Sequence, residues 1–259
     1  MDQLSGLDAA FVHQDSSRTP MHVSAVLLYD AGIDGEHALD REQLLALVTA
    51  RLAGLPLFRR RLRRVALDMD TPYWVDSGRT DCGRHLYRHA LPAAGDWREL
   101  TRLLDGVHGK RMDLTRPLWE MHLVDGLREV PGLPPLCQAL VLKVHHAAID
   151  GMSLAVVIDA LHREPEGEPE QGAGASAALS HWDLWTRMQL NTVGRQFKLA
   201  ETVGNLLPGL RRARLSREEY ADLPAVQRRR VHFNARVSGR RSTGAVIWPL
   251  QEVRAIRRA

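Results

Sequence analysis

The sequence predicts an α/β fold, a mixed sheet with helices packed on it, and three features carry that expectation. The run from Leu136 to His146 is almost continuously apolar, the pattern of a strand interior to a sheet with both faces covered. Leu154, Val157, Ile158 and Leu161 follow it at i, i+3, i+4 and i+7, one face of a helix. A second helical stripe comes from Leu44, Leu45, Leu47, Val48 and Leu52.

In chain order, Leu4 to Phe11 reads as a short loop or helical turn. Thr19-Pro20 leads into Met21 to Tyr29, a strand candidate rich in Val and Leu. Asp40 is placed to cap a helix running to about Leu52, and Gly54-Leu55-Pro56 stops it. Leu62 to Val75 suggests a hairpin broken near Asp70-Thr71-Pro72, and His85 to Leu91 a weaker strand. Asp96 opens a second helix carrying Leu100, Leu103, Leu104 and Val107. Trp119 to Val124 reads as a strand, Val130 to Pro135 as a loop, and Met152 to Leu161 as a helix.

Composition changes after His162. Residues 163–176 are rich in Glu, Pro, Gly and Ala and read as a linker. Trp182, Trp185, Met188, Val193, Phe197, Ala200 and Val203 mark an amphipathic stretch, which packs on its own domain or lies at a membrane surface. One more strand-like piece follows Gly239, and a helix starts at Leu250. The expected organisation is a lobe over 1–163, a flexible linker over 164–180, an amphipathic helical crossover over 181–230, and the start of a second lobe over 231–259.

The chain has 259 residues, 44% hydrophobic and 25% charged, with a net charge of +4 and a pI near 9.4. These values suit an ordinary globular protein with material for a core. Arg211 to Arg241 holds ten Arg against three acids. Such a run is a solvated basic segment, or it attracts anionic lipid head groups or the phosphates of a CoA-type substrate. No zinc-finger spacing and no aromatic stacking motif accompanies it, so nucleic acid is not expected. Cys82 and Cys137 lie far apart, which suits a reducing cytosol. The first residues show no signal-peptide pattern, and no apolar run is long enough to span a bilayer.

The chemistry concentrates at Lys143 to Ser153. Side chains alternate along a strand, so Leu140, Leu142, Val144 and His146 share one face while Val141, Lys143 and His145 share the other. Adjacent histidines at a strand end therefore point apart. His146 leaves on the apolar face, where a neutral imidazole can accept a proton. Asp150 is placed to cap the following helix or orient the loop, and Gly151 permits a tight turn. Two rivals use the same segment. Gly151-Met152-Ser153-Leu154-Ala155 echoes a nucleophile elbow but has Ala where a second Gly belongs. His145, His146 and Asp150 are metal-ligand types, yet the two imidazoles diverge, so no metal is expected.

The spacing His145-His146-x-x-x-Asp150-Gly151 resembles the active-site motif of the CoA-dependent acyltransferase superfamily, which includes condensation domains and chloramphenicol acetyltransferase-like enzymes. Leu4 to Phe11 with Thr19-Pro20-Met21-His22-Val23 looks like the start of the wax ester synthase/diacylglycerol acyltransferase family. Asp113 to Glu120 resembles its Pro-Leu-Trp segment, here Pro117-Leu118-Trp119, and Asn234, Ser238-Gly239-Arg240-Arg241 and Pro249-Leu250 its crossover. The resemblance implies a chloramphenicol acetyltransferase-like lobe. It implies His146 as the general base that takes a proton from a fatty alcohol or diacylglycerol, whose oxygen attacks an acyl-CoA thioester. His145 is then secondary, Asp150 and Gly151 shape the loop, and Pro117, Leu118 and Trp119 line the acyl tunnel or simply pack the core. Acyl-CoA is a substrate and no cofactor is implied.

Members of that family are about twice this length, with two lobes. The Asn-Asp motif of the second lobe is absent here, so either the chain is a fragment, or a second-lobe polypeptide supplies the rest as a partner, or the chain is a catalytically incomplete lipid-binding or assembly half. The expected location is the cytoplasm, with peripheral contact to the inner membrane face or a lipid droplet.

Overall fold

The computed structural model describes residues 2–65, 70–78, 80–92, 95–149, 151–163 and 237–258. Of these, residues 64, 65, 70–72 and 237 belong to a second unit, and the remainder form the unit described below. Asp150, the expected linker 164–180 and the expected crossover 181–230 lie outside the described residues.

The elements are β1 (Asp2–Gln3), α1 (Gly6–Gln14), β2 (His22–Asp30), α2 (Arg41–Arg51), α3 (Pro56–Arg59), β3 (Arg60–Arg63), β4 (Tyr73–Asp76), β5 (Leu86–Ala90), α4 (Trp97–Gly109), β6 (Trp119–Arg128), β7 (Leu136–His145), α5 (Gly151–His162) and α6 (Leu250–Arg258). Single 3-10 turns cover Cys82–His85 and His146–Ala148. The helices begin where their caps allow. Asp40 and Gln43 form a reciprocal capping box at α2, and Asp96 accepts from the Glu99 N–H at α4.

The main sheet has the order β2-β7-β6-β5, and β7 is interior as its composition predicts. β7 pairs antiparallel with β2 and β6, while β5 runs parallel to β6, so the sheet is mixed. A register shift between Val124 and Leu127 lets β6 continue to Arg128, past the expected end at Val124. Gly126, at φ +85°, sits in that irregularity. A smaller sheet has the order β1-β4-β3, and its β3–β4 hairpin is the one read between Leu62 and Val75.

The two faces of the main sheet bury different clusters. Leu140, Leu142 and Val144 of β7 pack with Trp119, Met121 and Leu123 of β6 under α2 and α5. On the opposite face Ala139, Val141, Val124 and Leu127 pack under Leu100 and Leu104 of α4. The alternation read from the sequence is therefore the one observed. A third cluster joins Ala9 and Val12 of α1 to Leu62, Leu118 and Ala147.

Two expectations are corrected. Leu4 to Phe11 is not a loop or lone turn: α1 spans nine residues, with Ser5 accepting from the Asp8 N–H as N-cap. The strand expected after Gly239 is not formed among the described residues. Val246, Ile247 and Trp248 are exposed and unpaired in the sheets, and only the helix at Leu250 follows.

Candidate active site

The site is built where β7 ends. The His145 N–H donates to the Leu118 carbonyl at 3.1 Å and the His146 N–H to the Met21 carbonyl at 2.9 Å. Consecutive residues are thus tethered to opposite neighbouring segments, and the chain turns at once through His146–Ala148. Ala147 is buried against the α1 cluster and Ile149 enters the main core, so the turn is pinned on both sides.

His145 and His146 separate as strand alternation requires. The His145 ring is 1% exposed. Its Nδ1 accepts from the Ala147 N–H at 3.1 Å, which assigns the ring proton to Nε2, and Nε2 lies 4.0 Å from the Asp15 carboxylate. Burial lowers its pKa to about 4, with the His146 and Arg111 charges adding to the effect and Asp15 opposing it. His145 is therefore a neutral, enclosed ring that braces the turn. His146 is half-buried and stacks on Phe11 of α1, with centroids 4.9 Å apart and planes 19° apart. No other described residue hydrogen-bonds its ring.

Asp15, which follows α1, organises the support. Its Oδ1 accepts from the Met21 N–H at 3.0 Å, and its Oδ2 from Arg111 Nε at 2.9 Å and Nη2 at 2.8 Å. Its own N–H caps α1 through the Phe11 carbonyl. One buried carboxylate thus joins the end of α1, the approach to β2 and the segment after α4, and faces His145 Nε2 from beyond hydrogen-bond distance. Neither Asp15 nor Arg111 was identifiable from the sequence, because the two lie 96 positions apart and neither belongs to a recognisable spacing.

Pro117, Leu118 and Trp119 are all buried. Leu118 packs on α1 and Ala147. Trp119 lies between Phe58, at 4.6 Å, and His85, at 4.5 Å, while His85 Nδ1 bonds the Trp119 carbonyl at 2.9 Å. The segment forms the wall between the main core and the α1 cluster. Gly151 begins α5.

A polar layer, also unread from the sequence, lies on the α4 side of the sheet. Lys143, wholly buried, donates to the Lys110 carbonyl at 2.8 Å and to Glu120 at 3.2 Å. Glu120 also pairs with His122 at 3.4 Å, and His122 shares a hydrogen bond with His89 at 3.1 Å. His22 stacks on His108 at 5.5 Å. Burial lowers the Lys143 pKa, against the pull of Glu120. For Glu120 burial acts upward, but the His122 hydrogen bond and the Lys143 charge outweigh it and hold the carboxyl low. Among the described residues no group of three His, Cys, Asp or Glu is placed to hold a metal.

Residues 4–259 match the wax ester synthase/diacylglycerol acyltransferase catalytic domain family. The chain belongs to that family. A putative diacylglycerol O-acyltransferase of Mycobacterium tuberculosis is 32% identical over 260 residues, which cover 99% of this chain and 55% of the relative. A probable diacylglycerol O-acyltransferase of the same species is 32% identical over 223 residues, 80% of this chain and 74% of the relative. The solved wax ester synthase/diacylglycerol acyltransferase from Marinobacter aquaeolei VT8 superposes with a TM-score of 0.58 at 26% identity, over 99% of this chain and 55% of that one. The α/β lobe of the CoA-dependent acyltransferase type expected from the sequence is thus the fold observed. This wax ester synthase/diacylglycerol acyltransferase family chain spans about half the length of these full-coverage relatives.

Proposed function

We propose that this chain carries the general base of an acyl-CoA-dependent O-acyltransferase that makes triacylglycerol or wax ester. The observation that carries the reading is the contrast between the paired rings. His145 is enclosed and bonded to its own turn, whereas His146 stands half-open on a rigid turn with ring nitrogens that no described residue engages. In this reading a ring nitrogen of His146 takes the proton of a diacylglycerol or fatty-alcohol hydroxyl as its oxygen attacks the thioester carbonyl. The C–S bond then breaks, and the imidazolium returns the proton to the departing CoA thiolate. No cofactor enters that balance; acyl-CoA is a substrate. His145, Asp15 and Arg111 hold the turn, and Asp150 and Gly151 complete the loop.

Long-chain substrates partition into lipid, so a membrane face or droplet is the proposed place of work. No helix among the described residues is long and apolar enough to cross a membrane. Leu250, Val253 and Ile256 of α6 are exposed beside Arg254 and Arg257, the composition of a surface-lying helix. Stabilisation of the tetrahedral oxyanion is assigned to a second lobe, which the longer relatives have room for.

The test is turnover. Protein mixed with palmitoyl-CoA and hexadecanol or diacylglycerol is expected to release free thiol and form ester, and His146→Ala to abolish both. The exposed apolar residues Leu250, Val253 and Ile256 of α6 favour one second reading, a lipid-binding or assembly role. Retained lipid with no thiol release from the wild type selects it.

A further inference from the structure

A cavity of about 350 Å³ lies beside the first residues of β2, lined by His22, His108, Arg241, Ser242 and Thr243 together with Pro20 and Gly244. It adjoins the turn just described, because His22 pairs across the sheet with His145. Its walls hold one guanidinium, two imidazoles and two hydroxyls, and no carboxylate among the described residues lines it.

The charges around it are arranged to leave it positive. Arg241 donates from Nη1 to the Ser238 and Arg240 carbonyls at 2.9 and 3.1 Å and from Nη2 to the Arg18 carbonyl. Those partners are neutral, so its charge is not cancelled, and further N–H groups of the fork have no described acceptor. Of the nearby carboxylates, Glu120 is engaged with Lys143 and Asp15 with Arg111, whereas Asp105 Oδ1 is buried with no partner among the described residues. Asp105, three residues before His108 on α4, acts on that ring less strongly than Lys143 does. His22 presents its ring to the cavity wall, while its Nδ1 is closed off from it and has no partner among the described residues. Burial first, then the charges of Lys143 and His108, lower the His22 pKa to about 4, against Glu120 and Asp15.

We propose that this cavity is an anion site that takes a phosphate group, that of the acyl-CoA substrate. At about 30 Å³ per water-sized group it has room for about a dozen non-hydrogen atoms, enough for a phosphate or diphosphate. Arg241 supplies the charge and its remaining N–H groups, the hydroxyls of Ser242 and Thr243 supply donors, and the rings of His22 and His108 close the sides formed by β2 and α4. The assignment of the phosphate to acyl-CoA rests on the acyltransferase reading; the affinity for phosphate does not.

The experiment is calorimetry at low salt with adenosine 3′,5′-bisphosphate, CoA, inorganic phosphate, pantetheine and anionic vesicles, alongside NMR of the His22 and His108 rings. The bisphosphate and CoA are expected to bind and shift both rings, and pantetheine to do neither. Arg241→Gln is expected to weaken binding about tenfold or more, the scale of one charge-assisted contact, and Arg241→Lys less. His108→Phe, which spares the Arg241 contacts to Arg18, serves as the second variant. Phosphate shifting both rings while CoA does not bind keeps the anion site and sinks the acyl-CoA reading. Shifts produced by anionic vesicles but not by CoA assign the phosphate to a lipid head group and overturn the substrate assignment. CoA binding with both rings unmoved and affinity unchanged in Arg241→Gln and His108→Phe overturns the site and leaves the acyltransferase reading intact.

Discussion

Lowering the pH from 7 to 5 should destabilise this protein, with His145 and His22 as the two largest identified contributors. Its ring is enclosed, accepts a backbone N–H, and titrates near 4 when folded against about 6.5 when unfolded. A folded pKa below the unfolded one means that protons favour the unfolded chain. The contribution is therefore complete above about pH 6.5 and is lost as the pH falls toward 4. For these two values the loss is about 2 kcal/mol at pH 5 and about 3 kcal/mol at pH 4. His22, His85, His89 and His108 are shifted the same way, each by burial first, and steepen the slope. Asp113 and Glu120 are held below their ordinary values, so protonation favours the unfolded chain through them as well, at the acid end of this range. The assay is urea unfolding at pH 7, 6 and 5 for the wild type and for His145→Gln, whose amide can accept from the Ala147 N–H without titrating. The variant should lose about 2 kcal/mol less than the wild type between pH 7 and 5. Equal losses would show that His145 is not buried as a neutral ring, and the tautomer argument would fall with it.

Other outcomes follow from the same contacts. His146→Ala should abolish thiol release yet shift the thermal midpoint by only a few degrees, since the half-open ring gives up one stacking contact; differential scanning fluorimetry separates the two effects. Asp15→Asn keeps an acceptor for the Met21 N–H but removes the charge facing Arg111, and should cost about 2 kcal/mol in denaturant titration. Gly95→Ala should cost more than about 2 kcal/mol, because its φ is +53° and a Cβ would stand 2.1 Å from the Gly126 carbonyl oxygen. Trp119→Ala, at the centre of the core, should cost about 3–5 kcal/mol, and Trp119→Phe distinctly less.

How much of this was legible in the sequence depended on whether the signal was local. β7 announced itself by its apolar run, and the caps at Asp40 and Asp96 fixed the starts of α2 and α4. α1 was missed because its apolar residues form no clean stripe, although Ser5 and Asp8 already stood at capping distance. The two residues of β1 are too few to carry a period. At the candidate site, the divergence of His145 and His146 was legible because the two are adjacent and end a strand. Asp15, Arg111, His22 and His108 were not, because their meeting is made by the pairing of β2 with β7 and the placement of α4, which no local window records.

The tethering of two neighbouring amides to Leu118 and Met21 has a wider consequence. Sliding β7 by a single position against its flanking strands would exchange the two imidazoles, sending the solvent-facing one inward and the sealed one outward. Which ring stands open is thus chosen by alignment rather than by its own neighbours. Substitutions deep in β2 or β6, far from the turn, can exchange the open and the sealed ring by letting that alignment drift while every residue of the motif stays in place.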